Sequence, residues 1–200
     1  GKLEIAESTI ISNISHDGKS RIFVDNAKSL TISNAFEIPN GITMELLGSG
    51  DTRTIKLPDR LTLSGTLSVN STGYTISDGT LSISGGVLEV SENLSIDSDI
   101  THLSSGNISV ETDKILTYTG TATEVGALTL TLSGGGNIQT TNDLTLNDPD
   151  SILSLNDINI SGVSVTGELS DGMVSVDNDS SIETLNLNSS SDICLHSSSE

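Results

Sequence analysis

Apolar residues recur two positions apart along most of this chain, and the doublets themselves repeat. Residues 61 to 80 read LTLSGTLSVNSTGYTISDGT, and residues 81 to 100 read LSISGGVLEVSENLSIDSDI. Each block holds three apolar-x-apolar triplets. They are Leu61/Leu63, Leu67/Val69 and Tyr74/Ile76, then Leu81/Ile83, Leu88/Val90 and Leu94/Ile96, at offsets of 20, 21 and 20. Further copies run from Ile108/Val110 through Leu153/Leu155 and Val174/Val176 to Ile193/Leu195, with the register wandering around residues 119 to 143. Alternation with period two places successive side chains on opposite faces of a strand, one of them apolar. Helical spacing is nowhere sustained.

Between the doublets lie SG, NSTG, SDG, SGG, GGG, NDPD and DNDS, whose Gly, Asn and Asp residues tolerate the positive φ of sharp corners. Strands of three to five residues recurring in threes every twenty or so residues predict an all-β fold. The expectation is a parallel β-helix, or β-solenoid, with three short strands per coil, right-handed by analogy with known examples. Stacked coils pair each backbone with the coil above and below and fill the interior with aliphatic ladders. Residues 61–200 supply about seven such coils, a rod of roughly 34 Å at about 4.8 Å per coil. The competing fold is a β-sandwich or jelly roll, whose strands recur at longer intervals than the six or seven positions seen here.

Composition agrees with narrow coils. Leu, Ile, Val and Phe number 57 of 200, enough for a folded core, while Phe23, Phe36, Tyr74 and Tyr118 are the only aromatic residues. The net charge is −19 and unevenly spread. Residues 1–60 hold seven of the eight bases against eight acids, whereas residues 61–200 set 19 acids against Lys114 alone. A boundary near Pro58 therefore separates an N-terminal segment, 1–60, from an acidic repeat body, 61–200. The first is read as an irregular cap or head, or equally as degenerate coils of the same stack.

Such a charge repels phosphate backbones, and no run of rings offers a stacking platform, so nucleic acid is not the expected partner. The apolar runs fall far short of the roughly 20 residues of a membrane-spanning helix, and no charged-then-apolar leader opens the chain, so membrane insertion is not expected. The expectation is a soluble mature piece or excised fragment.

Acidic corners are the most informative local feature. Asp78, Asp97, Asp99, Asp157, Asp177 and Asp179 fall near multiples of twenty residues and are expected to stack on one corner. Like charges one coil apart repel, and Ca²⁺ bridged by carboxylate and backbone oxygens would relieve this. The competing reading is a solvated acidic edge. No cofactor is required on either reading, and the GGxGxDxUx calcium repeat is absent.

Catalysis has little support in these residues. A polysaccharide lyase needs basic groups, and the repeat body offers only Lys114, His102 and His196; a glycosidase needs two carboxylates, which an acidic chain supplies by accident. His16, His102 and His196 are too scattered for a constellation and are expected at the surface. Cys194 is the sole cysteine, between Ile193 and Leu195 and expected to face outward. Seven Asn-x-Ser/Thr sequons occur, a slight excess for a chain with 57 serines and threonines. The Thr-rich runs 117–123 and 128–132 raise an ice-binding reading, but the outward positions vary too much for a regular threonine array.

The runs LTLSGTLSVN, GTLSISGGVLEV and GGGNIQTTNDLTL resemble the β-helical shafts of secreted bacterial adhesins, in the style of filamentous haemagglutinin and autotransporter passengers. The likeness covers about residues 61–196 and rests on pattern. It implies an exported protein, extracellular or on the cell surface, with a structural or adhesive role as shaft, spacer or filament subunit. Its partners would be a cell-surface or carbohydrate ligand, and further copies of itself stacked end to end. The alternative on the same scaffold is a carbohydrate-active enzyme or carbohydrate-binding module.

Overall fold

The computed structural model describes residues 1–15, 18–120, 123–125, 128–140, 144–146, 150–167, 173–177, 179–187 and 192–196. Their regular structure is entirely β, in 25 strands of three to nine residues, all paired in parallel. Consecutive strands do not pair with each other. Each pairs instead with the strand one coil earlier and one coil later, which is the topology of a β-solenoid with three strands to a coil of roughly twenty residues.

Three stacks result. The first face carries ten strands, from Lys2–Ile5 and Ser20–Val24 to Met173–Asp177 and Asp192–His196. Seven of them follow residue 61, in accord with the number of coils read from the repeat. The second face begins with Thr9–Ile11, Lys28–Ile32 and Arg53–Lys56, the third with Phe36–Ile38 and Arg60–Leu63. These two faces join at the nine-residue strand Asn159–Gly167, whose first part pairs with Asn137–Thr140 and whose last part pairs with Leu144–Leu146.

Residues 1–60 belong to the same stack. Lys2–Ile5 pairs with Ser20–Val24, that strand with Thr43–Gly48, and that one with Thr66–Val69, so the change in charge near Pro58 falls inside a continuous ladder. The first coil differs from the others in its third side: residues 12–15 and 18–19 form no strand there, and Ile14 packs against the core.

Inward positions form aliphatic columns one coil apart. Met44, Leu67, Leu88, Ile108, Leu132 and Leu155 are successive partners on the first face, and all are buried. Ile55, Ile76, Ile96 and Tyr118 do the same on the second face. Each buried Leu or Ile contributes on the order of 2 kcal/mol, and these columns take the place of a globular core.

Coil length varies. On the first face Lys2 pairs with Arg21 and Val87 with Asn107, but Ser20 pairs with Met44 and Gly106 with Leu130, so longer and shorter coils are interspersed. Corners absorb the difference. Where the first face turns into the second, most coils place a residue in the left-handed region: Ala27 (φ 58°), Gly50 (97°), Gly73 (76°), Asp113 (63°), Gly135 (77°) and Asp157 (54°). Gly, Asp and Asn reach that region at least strain, which explains their enrichment between the doublets. Where the third face turns into the first, Gly65 and Gly86 lie so close to the neighbouring coil that a Cβ on Gly86 would sit 2.4 Å from the carbonyl oxygens of Gly65 and Leu63.

Candidate functional site: the outer corners and grooves

The six aspartates divide between two corners rather than sharing one. Asp78 and Asp97 are exposed where the second face turns into the third, and Asp99 opens the third-face strand opposite Thr80. Hydrogen bonds tie this corner across coils: Ser98 Oγ donates to the Asp78 carbonyl at 2.5 Å, and Thr119 Oγ1 donates to Asp97 Oδ1 at 2.5 Å. Asp157 and Asp179 stand at the corner between the first and second faces, and Asp177 ends the strand leading into it, opposite Asn156. The Gly135 amide donates to the Asp157 carbonyl at 2.5 Å.

The expectation of a single corner fails because coil length is not constant. The ladder partners Gly106 and Leu130, like Leu128 and Ser151, stand further apart along the chain than Val87 and Asn107 do. These longer coils carry the later aspartates onto a different corner from Asp97. Among the described residues no three His, Cys, Asp or Glu side chains converge so as to hold a metal ion.

Four of the seven bases in residues 1–60 form ion pairs within the molecule. Lys19 Nζ and Arg21 Nε reach Glu45 at 2.5 and 2.9 Å, Lys28 Nζ reaches Glu7 at 2.8 Å, and Lys2 pairs with Glu4. Hydrogen bonding from Lys19 above all, seconded by Arg21, holds the Glu45 carboxyl below its ordinary value, and Lys28 does the same for Glu7. In the acidic body Lys114 Nζ meets Glu92 at 2.8 Å, and that hydrogen bond raises the affinity of the amine for its proton.

Among the described residues a shallow groove of about 490 Å³ lies at the corner of Asp157 and Asp179, between Ser133, Gly134 and Asn156, and two more run along the strand faces. One, of about 330 Å³, runs along the second face beside Asp51 and Thr72 and over the outward Thr75, Ser95, Thr117 and Gln139. Those four are successive ladder partners, so the groove floor is a column of neutral hydroxyl and amide groups. The other, of about 420 Å³, lies on the third face between Ala35, Phe36, Glu37, Asp59, Arg60 and Thr62. It brings one ring, two carboxylates and a guanidinium together, and Ser64 Oγ steadies Glu37 Oε1 at 2.6 Å. The long coil that pairs Phe36 with Leu61 sets Arg60 beside Phe36, a juxtaposition that an even twenty-residue period does not forecast.

Polar groups also enter the interior. Arg53 is 1% exposed and Tyr74 is likewise buried, as its place in an apolar doublet indicates. His102 is 4% exposed, which corrects its reading as a surface histidine: it is the ladder partner of the buried Ile83. The period-two signal is present in both cases, since Arg53 precedes Ile55 by two and His102 follows Ile100 by two. Their polarity conceals it. His16 lies outside the described residues, and so do the side chains of His196 and Cys194; Cys194 faces Ser175 in the strand ladder.

No family model matches the chain, nor does any characterised protein or solved structure. The functional reading therefore rests on the geometry.

Proposed function

We propose that this chain is a non-enzymatic structural or adhesive module, an acidic β-solenoid that works outside the cell as a shaft, spacer or filament subunit. The observation that carries the proposal is the unbroken parallel ladder, ten strands deep on the first face, with its apolar residues turned inward and its hydroxyls, amides and carboxylates turned out. A ladder of this kind gives length and stiffness from short repeats, and each coil leans only on its neighbours. The resemblance to adhesin shafts supports the same reading and adds export to the cell surface.

In the filament variant, copies stack end to end. Among the described residues Lys56 and Arg60 are bases in no ion pair besides the buried Arg53, so charge attraction to an acidic neighbour rests on those two side chains. Electron microscopy of the purified protein at rising concentration tests the proposal. Short uniform rods support a shaft or spacer, and lengthening rods support the filament. Compact particles without elongation overturn the structural reading.

A second reading is favoured by the groove at Phe36. Glu37, Asp59, Arg60 and Thr62 line this groove with hydrogen-bonding groups of the kind a sugar subsite uses, beside the half-buried Phe36, which packs against the core. Binding and reducing-end release across neutral and acidic polysaccharides, with Phe36→Ala and Arg60→Ala alongside, decide it. No binding to any polymer removes this reading and leaves the first intact.

A further inference from the structure

Asparagine is used structurally in this protein. Asn26 Oδ1 accepts from the amides of Asp51 and Thr52 at 3.0 and 3.1 Å, and Asn93 Oδ1 accepts from the Ile115 amide at 2.9 Å. Asn159 and Asn107 accept from Ser181 and Ser133. Asn40 stands apart. It is exposed, its side chain makes no hydrogen bond, and it is the only asparagine of the 15 that is followed by glycine.

Its backbone setting is equally open. Residues 39–42 turn from the third face to the first, and the bond that closes the turn runs from the Ile42 amide to the Pro39 carbonyl at 3.0 Å. Gly41 (φ 76°) is exposed, with no atom within 4 Å of where a Cβ would be, and its amide is not the donor that closes the turn. We infer that Asn40 is a site of spontaneous deamidation. The Gly41 nitrogen attacks Asn40 Cγ and forms a C–N bond; the Cγ–Nδ2 bond breaks, and the Gly41 proton leaves with the nitrogen as ammonia. Water then opens the resulting five-membered imide at either carbonyl and leaves aspartate or isoaspartate. No oxidant or catalyst takes part, and either product adds one negative charge.

The isoaspartate product affects packing as well. It inserts a carbon into the main chain between Pro39 and Ile42, a segment gripped by the next coil. The Thr66 amide bonds the Ile42 carbonyl at 2.9 Å, and Gly65 packs so closely that a Cβ there would lie 2.2 Å from the Pro39 oxygen. A longer turn pushes against that coil.

The test is peptide mapping by mass spectrometry after ageing the folded protein at physiological temperature and mildly alkaline pH. The peptide holding Asn40 gains about one dalton, with isoaspartate detectable by enzymatic methylation, about tenfold or more faster than the peptides of Asn26, Asn93 or Asn159. Aged wild type then melts below fresh protein, while Asn40→Gln ages without change in mass at that position or in melting temperature. Conversion of all four sites at one rate, or an intact Asn40 after the others have reacted, overturns the inference. So does reaction at Asn40 only when the chain is unfolded in urea.

Discussion

The guanidinium of Arg53 lies 4.9 Å from the centroid of the Tyr74 ring, one coil away inside the solenoid. Its Nη2 donates to the Gly50 carbonyl, while Nε and Nη1 have no hydrogen-bond partner, and the Tyr74 hydroxyl donates to the Leu47 carbonyl. Stacking on the ring and a single carbonyl are thin compensation for a buried cation without a carboxylate, and such a group is often replaced by an apolar one of similar volume at no loss. Arg53→Met is therefore expected to melt at or above the wild-type temperature. Arg53→Ala, which leaves a void, is expected to lose about 2–4 kcal/mol in denaturant titration. A large loss in Arg53→Met would mean that the charge itself holds the corner.

The same pair sets an alkaline limit. Burial pushes the Tyr74 phenol from 10.0 up to about 12, against the opposing pull of the Arg53 charge. The folded state holds this proton more tightly than the unfolded chain. Stability linked to Tyr74 is thus full below about pH 10 and is lost as the pH rises toward 12. Ultraviolet titration of tyrosinate in Tyr118→Phe isolates the group. Ionisation near its ordinary value with the fold intact would contradict the burial.

Adjacent glycines at one corner separate two mechanisms. A Cβ on Gly86 would sit 2.4 Å from two backbone oxygens of the preceding coil, atoms that cannot move without opening the ladder. Gly86→Ala is expected to destabilise by about 3 kcal/mol or more through steric overlap. Gly85 has room, its nearest contact being 3.5 Å, but holds φ 82°. Gly85→Ala is expected to lose only about 1 kcal/mol, the strain of a left-handed alanine. Equal losses measured by urea unfolding would show that backbone strain alone governs this corner.

Much of this architecture could be read from the chain because a solenoid repeats its instructions. Leu61/Leu63 and Leu81/Ile83 announce neighbouring strands of one face, and the structure pairs them directly. What stayed hidden has two physical sources. Arg53 and His102 occupy inward positions that a polarity pattern assigns to solvent, because their neighbours along the stack, not along the sequence, decide their burial. Corner length varies with no regular signal, so residues related by the sequence period, such as Asp97 and Asp157, diverge in space. The Phe36 groove was unreadable for the same reason, since it depends on a long coil that brings Leu61 round to Phe36.

Glu45 gives the acid limb of stability a local origin. Lys19 and Arg21 hold its carboxyl below the ordinary 4.5, so the folded state releases this proton more readily than the unfolded chain. The contribution is present above about pH 4.5 and disappears as the pH falls through the lowered folded value. Because the cations are more than half exposed, it is expected to be small, about 0.5–1 kcal/mol. Glu45→Gln should fall short of wild type by that amount at neutral pH and match it in strong acid. A difference that persists unchanged into acid would assign the loss to packing.

Divalent cations distinguish a mere acidic surface from a built calcium site. With 19 acids and one base over residues 61–200, the folded body repels itself, and the six corner aspartates stand in two groups of three. Screening acts on any such charge regardless of ion chemistry, over about 10 Å at 0.1 M salt. Ca²⁺ and Mg²⁺ are accordingly expected to raise the melting temperature to the same extent, and EDTA to leave metal-free protein unchanged. Asp78→Asn and Asp157→Asn remove charge at φ 64° and 54°, which asparagine adopts as readily, so both should match or slightly exceed wild type. A saturable rise specific to Ca²⁺, abolished by either variant, would instead establish calcium at that corner, and the choice of variant would say which one.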